Sequence, residues 1–245
     1  MDYDELFGKK LRFRDIFKKS WAIYKENFIP LSLMALCALV PVLNVIAYLG
    51  VSIFVYNYVK GESVSVKNAL SCGLKNLLKV LITGLLGLLI VSFTTIPFMI
   101  LQTAGLALQN KVPFNIFTLI AAILLSAICL VPFFYMFISV FFFPYVCIIR
   151  NKWWFSGLRY SWKVVKGDIW RTIFFIMGLL TISYIAVLIM IAISAVLKFL
   201  AILTVPLSGI IVLLIWMYIN IAFVTYFLNL ESSKEIDLTP ATAGK

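Results

Sequence analysis

Histidine does not occur in these 245 residues. Its absence removes the commonest metal ligand and the side chain best suited to general base work near neutral pH. Carboxylates are scarce too. Asp and Glu number 10 against 21 Lys and Arg, and between Glu62 and Glu231 the sole acid is Asp168. Proton-driven pumps and transporters place carboxylates or histidines inside the membrane, and no such residue stands within the apolar runs of this chain. Paired carboxylates, a phosphate-cradling glycine loop and a metal-ligand cluster are also missing. Cys37, Cys72, Cys129 and Cys147 have no metal or redox spacing and read as small apolar packing residues. Ser20 and Ser161 have no base to activate them and instead suit close helix approach. A non-enzymatic protein is expected, with no catalytic residue, cofactor or metal.

What is abundant is apolar sequence. Hydrophobic residues make up 63% of the chain and charged residues 13%, where a water-soluble chain carries roughly 25% charged. The stretches 28–59, 80–108, 114–149, 173–197 and 200–230 are almost wholly apolar, each longer than the roughly 20 residues that span a bilayer. The chain is therefore expected to be an all-α integral membrane protein. Residues 1–10 read as a polar N-terminal tail, 11–230 as a single membrane domain, and 231–245 as a disordered C-terminal tail. Asp2, Asp4 and Glu5 occupy the place of a basic n-region, so no signal peptide is expected.

The stretch 28–59 is too long for one span at about 1.5 Å per residue and too short for two full ones. Pro41-Val42-Leu43-Asn44 reads as its break. Charge decides the count. If this stretch turns back on itself, Lys and Arg number 7, 4, 6 and 2 in the tails and loops of one side, against 0, 1 and 1 opposite. A single crossing would erase that asymmetry. The expectation is thus six membrane segments as three hairpins, both termini cytoplasmic, with the first hairpin short and its full crossing left open. Pro41, Pro132 and Pro144 are the expected helix kinks.

The cations are not a free basic arm, which argues against a nucleic-acid partner. They lie on amphipathic segments, one before each hairpin. In 153–171, Trp154, Leu158, Trp162, Val165 and Ile169 share one face, and Arg159, Lys163 and Lys166 share the other. In 11–28, Phe13, Ile16, Phe17, Ser20, Trp21, Tyr24 and Phe28 oppose Arg14, Lys18, Lys19, Lys25 and Glu26. Superposed, Ser20-Trp21 falls on Ser161-Trp162, Lys25 on Lys166 and Asn27 on Asp168. A weaker copy at 66–80 carries Gly73 in the small position, with Lys75 and Lys79 on its polar face. Pseudo-repeats 11–59, 64–149 and 154–230 follow. Each segment fits a cytoplasmic interfacial helix, its cations toward lipid phosphates and its rings at headgroup level. Asn27 and Asp168 are expected to cap the helices that follow. The aromatic run 133–145 fits lipid contact and kink packing, or else a groove for an acyl chain, quinone or pigment.

From Phe143-Pro144 through Trp170 the chain resembles a group of prokaryotic membrane proteins that includes the membrane domain fused to some glycerophosphodiester phosphodiesterases. Gly157-Leu158, Ser161-Trp162 and Lys166-Gly167-Asp168-Ile169-Trp170 carry the likeness. Arg150-Asn151-Lys152 departs from it where that group often has an acid, and the phosphodiesterase catalytic domain is not in this chain. The resemblance implies a prokaryotic cytoplasmic (inner) membrane and paired helices, but no reaction. Two functions fit. One is organisation of membrane lipids, anionic ones above all, or service as an accessory or scaffold subunit of a larger membrane-protein complex or homo-oligomer. The other is a transporter or permease for a lipidic or apolar solute, which repeated hairpins and kinked helices would suit.

Overall fold

A computed structural model describes residues 9–108, 116–196 and 201–234. Among them there is no strand, and the helices run α1 (Phe13–Glu26), α2 (Phe28–Cys37), α3 (Pro41–Val59), α4 (Val66–Leu108), α5 (Ile116–Val140), α6 (Phe143–Ile149), α7 (Trp154–Val165), α8 (Ile169–Val196) and α9 (Ala201–Ser232). Among the described residues, four helical stretches are long and apolar enough to cross a membrane: Val66–Ile100, Leu124–Ile149, Ile169–Ala192 and Gly209–Ser232. The protein is an all-helical membrane protein on that ground.

The break in the first apolar stretch falls at 38–40, and Pro41 opens α3. Pro144 likewise sits in the first turn of α6, just after a turn at Phe141-Phe142. Pro41 was expected in the break itself and also as a kink, and Pro144 as a kink within a long span. They are helix starts instead, where a missing N–H costs nothing because first-turn donors have no intrahelical partner. Pro132 does lie inside α5, and Pro97 inside α4. The α2 helix has 10 residues and α3 has 19, or about 15 Å and 28 Å of rise. Their outer ends meet, since the Tyr58 hydroxyl donates to the Glu26 carboxylate.

The second surface segment is not a separate helix. Residues 66–80 continue without interruption into α4, which is 43 residues long. They pack along α3 rather than lying apart from the bundle. Glycine makes this possible: a Cβ on Gly73 would stand 2.7 Å from the Ile46 carbonyl oxygen and 3.2 Å from the Gly50 nitrogen. Small residues at such crossings let two backbones approach closely.

The packed core lies toward the end of the bundle that holds α1, α6, α7 and the C-terminal half of α9. There Phe175 stacks on Tyr226 at 4.0 Å, and Phe142 packs against Tyr145, Tyr226 and Phe227. Farther along the long helices the apolar side chains turn outward. Leu88, Phe93, Ile128, Val131, Ile185 and Ile189 are exposed. In water such a surface would aggregate; against lipid tails it costs nothing.

Candidate functional site

The charged end of the bundle is built on two ion-pair clusters, each centred on a buried carboxylate. Glu231, 1% exposed, lies in the last turn of α9. Its Oε1 accepts from Arg150 Nε and its Oε2 from Arg150 Nη2, both at 2.7 Å. The Tyr160 hydroxyl of α7 adds a third bond at 2.5 Å. The guanidinium is fixed in position by a planar fork that only arginine offers. Burial and the adjacent carboxylate push the Tyr160 hydroxyl well above its ordinary pKa.

The second cluster is centred on Asp168, between α7 and α8. Lys10 Nζ reaches its two oxygens at 2.9 and 3.0 Å, and Lys234 Nζ stands 3.2 Å from Oδ2. Lys234 also donates to the Val164 and Lys166 carbonyls at 2.6 and 2.5 Å. A cation thereby satisfies carbonyls left free at the C-terminal end of α7. Burial pushes the Asp168 carboxyl up, but the hydrogen bonds and charges of Lys10 and Lys234 outweigh it and hold the group below its ordinary range. Burial also pulls the Lys234 ammonium down, against the pull of Asp168. Asn229 completes the junction: its amide donates to the Lys9 carbonyl at 2.8 Å, and its oxygen accepts from Leu11 N–H at 3.1 Å.

These clusters revise several expectations. Asp168 does stand at the start of α8, where its backbone carbonyl accepts from Thr172 N–H at 2.9 Å, but its carboxylate is held by two lysines. Asn27 does not cap α2. Its side-chain amide donates backward to the Ile23 carbonyl at 3.1 Å, the same oxygen that accepts the Asn27 backbone N–H at 3.1 Å. Lys9 and Lys10, placed by sequence in an N-terminal tail, and residues 231–234, placed in a C-terminal one, belong to the folded unit. Lys19, expected on the headgroup face, is 4% exposed and packed inside α1's contact surface. Ser20 beside it is fully buried and bonds the Ile16 carbonyl.

The other candidate headgroup residues lie outward. Lys18, Trp21, Lys25, Lys75, Arg159, Trp162, Lys163 and Lys166 are all exposed, and Lys79 is half-buried. Trp21 stacks on Tyr24, and the Lys166 ammonium lies 5.4 Å from the Trp162 ring centre. Trp162 Nε1 donates to the Tyr135 hydroxyl at 3.0 Å. The buried face of α7 is Gly157, Leu158, Tyr160, Ser161, Val164 and Val165. Leu158 and Val165 were expected with the tryptophans, but in the fold the rings of Trp154 and Trp162 stay outside. The helix therefore has three sides: one packed, one aromatic and one cationic.

The turn before α7 is strained. Asn151 has φ 51° and Trp154 has φ 60°. Asparagine tolerates that region, whereas tryptophan there costs on the order of 1–2 kcal/mol. Thr83 of α4 holds the turn by accepting from Trp154 N–H at 2.9 Å. Lys79, one turn earlier on α4, donates to Asn151 Oδ1 at 2.7 Å. The Lys152 ammonium lies 4.2 Å from the Tyr160 ring centre. Trp153, Trp154 and Phe155 consequently point outward together.

Among the described residues no group of three His, Cys, Asp or Glu side chains is placed to hold a metal ion. No protein-family model, curated protein or solved structure matches the chain.

Proposed function

We propose that this is a non-enzymatic, multi-pass protein of a prokaryotic cytoplasmic membrane that organises anionic phospholipid through the basic, aromatic surface of α1 and α7. One observation carries the reading. Asp168 and Glu231 are buried and paired with cations of the protein itself, while Lys18, Lys25, Arg159, Lys163 and Lys166 are exposed beside exposed tryptophans. Cations outnumber the acids Asp15 and Glu26 on this surface, which keeps a net positive charge beside the rings. Such cations contribute about 1 kcal/mol each near an anionic leaflet, and indole rings settle at the headgroup layer.

The topology that goes with this function has six membrane segments in three hairpins and both termini on the cytoplasmic side. The cation asymmetry supports it. So does the junction of Lys10, Asp168 and Lys234, which brings both ends of the described chain to one place. The first hairpin is the shallow one, because α2 rises only about 15 Å. The likeness of 143–170 to the membrane domain fused to phosphodiesterases supports the same compartment.

The test compares nanodiscs of anionic and zwitterionic lipid. The purified chain should prefer anionic discs. Replacing Lys18, Lys25, Arg159, Lys163 and Lys166 together by Gln should remove most of that preference with helix content unchanged. Preference intact in that variant would sink the proposal.

A further inference from the structure

The second and third basic segments of the sequence meet at one corner, between α4 and the turn that opens α7. Lys79 of α4 is bonded to Asn151 of the turn, and Lys75 lies one helical turn earlier on the same side. One turn the other way, Thr83 holds the backbone of Trp154. The backbone that carries Trp153, Trp154 and Phe155 is therefore anchored about 6 Å farther along α4 than Lys79. Deeper still, the side of α4 that carries Lys75 and Lys79 runs on through half-buried Leu86 and Ile90 to exposed Phe93. The order along one helix is cation, indole, aliphatic chain. A phospholipid has the matching order: phosphate, glycerol ester, acyl chain.

We infer that this corner is a site for one anionic phospholipid. Lys75 and Lys79 bind its phosphate, the Trp153 and Trp154 rings flank its glycerol region, and an acyl chain lies along α4. Lys79 spends one donor on Asn151 and has two more to give. The inference rests on the reading of this end as the headgroup side. It differs from that reading in being local and stoichiometric, where α1 and α7 attract a leaflet. Strain in the turn at Asn151 and Trp154 agrees with a conformation kept for display of the rings.

The test is native mass spectrometry of the full chain in detergent, titrated with phosphatidylglycerol. The expected result is a single retained lipid per chain. Lys75→Gln with Lys79→Gln should weaken its retention roughly thirty-fold, taking about 1 kcal/mol per cation. Trp153→Leu with Trp154→Leu should weaken it further and should remove these two rings' share of the quenching of tryptophan fluorescence by acyl-brominated phosphatidylglycerol. The variant lacking Lys18, Lys25, Arg159, Lys163 and Lys166 should keep the lipid even though most of its disc preference is gone. Unweakened retention in the Lys75/Lys79 variant would overturn the site. Equal weakening in both variants would also overturn it, by showing diffuse attraction only. Equal retention of phosphatidylcholine would overturn its anionic character. Lys75 is exposed and Lys79 half-buried, so the double variant should keep the fold, and circular dichroism verifies that.

Discussion

Arg150 and Glu231 face one another as a two-bond fork, with both N–O distances 2.7 Å, although 81 residues separate them in sequence. The pair ties the end of α6 to the end of α9. Removing one partner of a buried pair leaves a lone charge and costs about 3–5 kcal/mol, whereas replacing both by apolar residues costs far less. Glu231→Ala should therefore destabilise the protein by about that amount. Adding Arg150→Met should recover most of the loss. Unfolding in a denaturing-detergent titration measures both. Additive losses would show that the two charges are already solvated separately.

Asp168 gives the protein an acid limit. Its carboxyl titrates below its ordinary value of 3.8 because two lysines hold the charged form. A carboxyl depressed on folding contributes stability above its unfolded pKa and loses it as pH falls through the folded value. The Lys10–Asp168–Lys234 junction should thus be intact at pH 5 and dissolve below about pH 3.8. Asp168→Asn should cost about 1.5–3 kcal/mol at pH 7, as charge-assisted bonds do, and the difference from wild type should shrink to nothing in acid. Melting temperature against pH for the two proteins would show convergence on the acid side only.

Gly73 and Gly178 make opposite predictions from the same substitution. A Cβ at Gly73 meets the Ile46 carbonyl at 2.7 Å, and one at Gly178 meets nothing within 4 Å. Gly73→Ala should separate α3 from α4 and cost about 1–3 kcal/mol, the range for overpacking. Gly178→Ala lies in open helix and should be neutral or stabilising by up to about 1 kcal/mol. Thermal unfolding of both proteins in one detergent decides between packing and propensity.

How far the sequence could be read follows from where its information lies. Periodicity marked α1 and α7 because they have a real polar side. It also marked Ser20, Gly73 and Ser161 as the small positions of three aligned segments, and all three are buried in the fold. Periodicity could not separate the packed side of α7 from its lipid side, since leucine, valine and tryptophan are all apolar. Tertiary contact decided that Val165 goes in and Trp162 stays out. Lys19 was misplaced for a similar reason: one helical face can carry a charge inward if the fold accommodates it. The clusters around Asp168 and Glu231 join residues up to 220 positions apart, so nothing local announced them. The scarcity of acids was the available signal. A chain with so few carboxylates makes each one in the folded region a candidate anchor, and Glu231 was passed over because it begins a polar run.

The first hairpin sets the last prediction. Glu26 and Tyr58 are bonded, so α2 starts and α3 ends at one level. From that level α2 rises about 15 Å and the three residues 38–40 add at most about 10 Å. The hairpin tip therefore lies roughly 25 Å deep at most, short of a hydrocarbon core of about 30 Å. Leu39 is exposed at that tip. A Leu39→Cys variant, made in a background with the native cysteines replaced, should react poorly with a membrane-impermeant maleimide from the far side in discs of ordinary thickness. Labelling should rise as the lipid acyl chains are shortened, because a thinner core brings the tip to water. Labelling that is complete in thick discs would mean the hairpin stretches the local bilayer inward or crosses it by a steeper path. Labelling from the near side at every thickness would place the hairpin outside the hydrocarbon altogether and reduce the six proposed segments to the four long helical stretches.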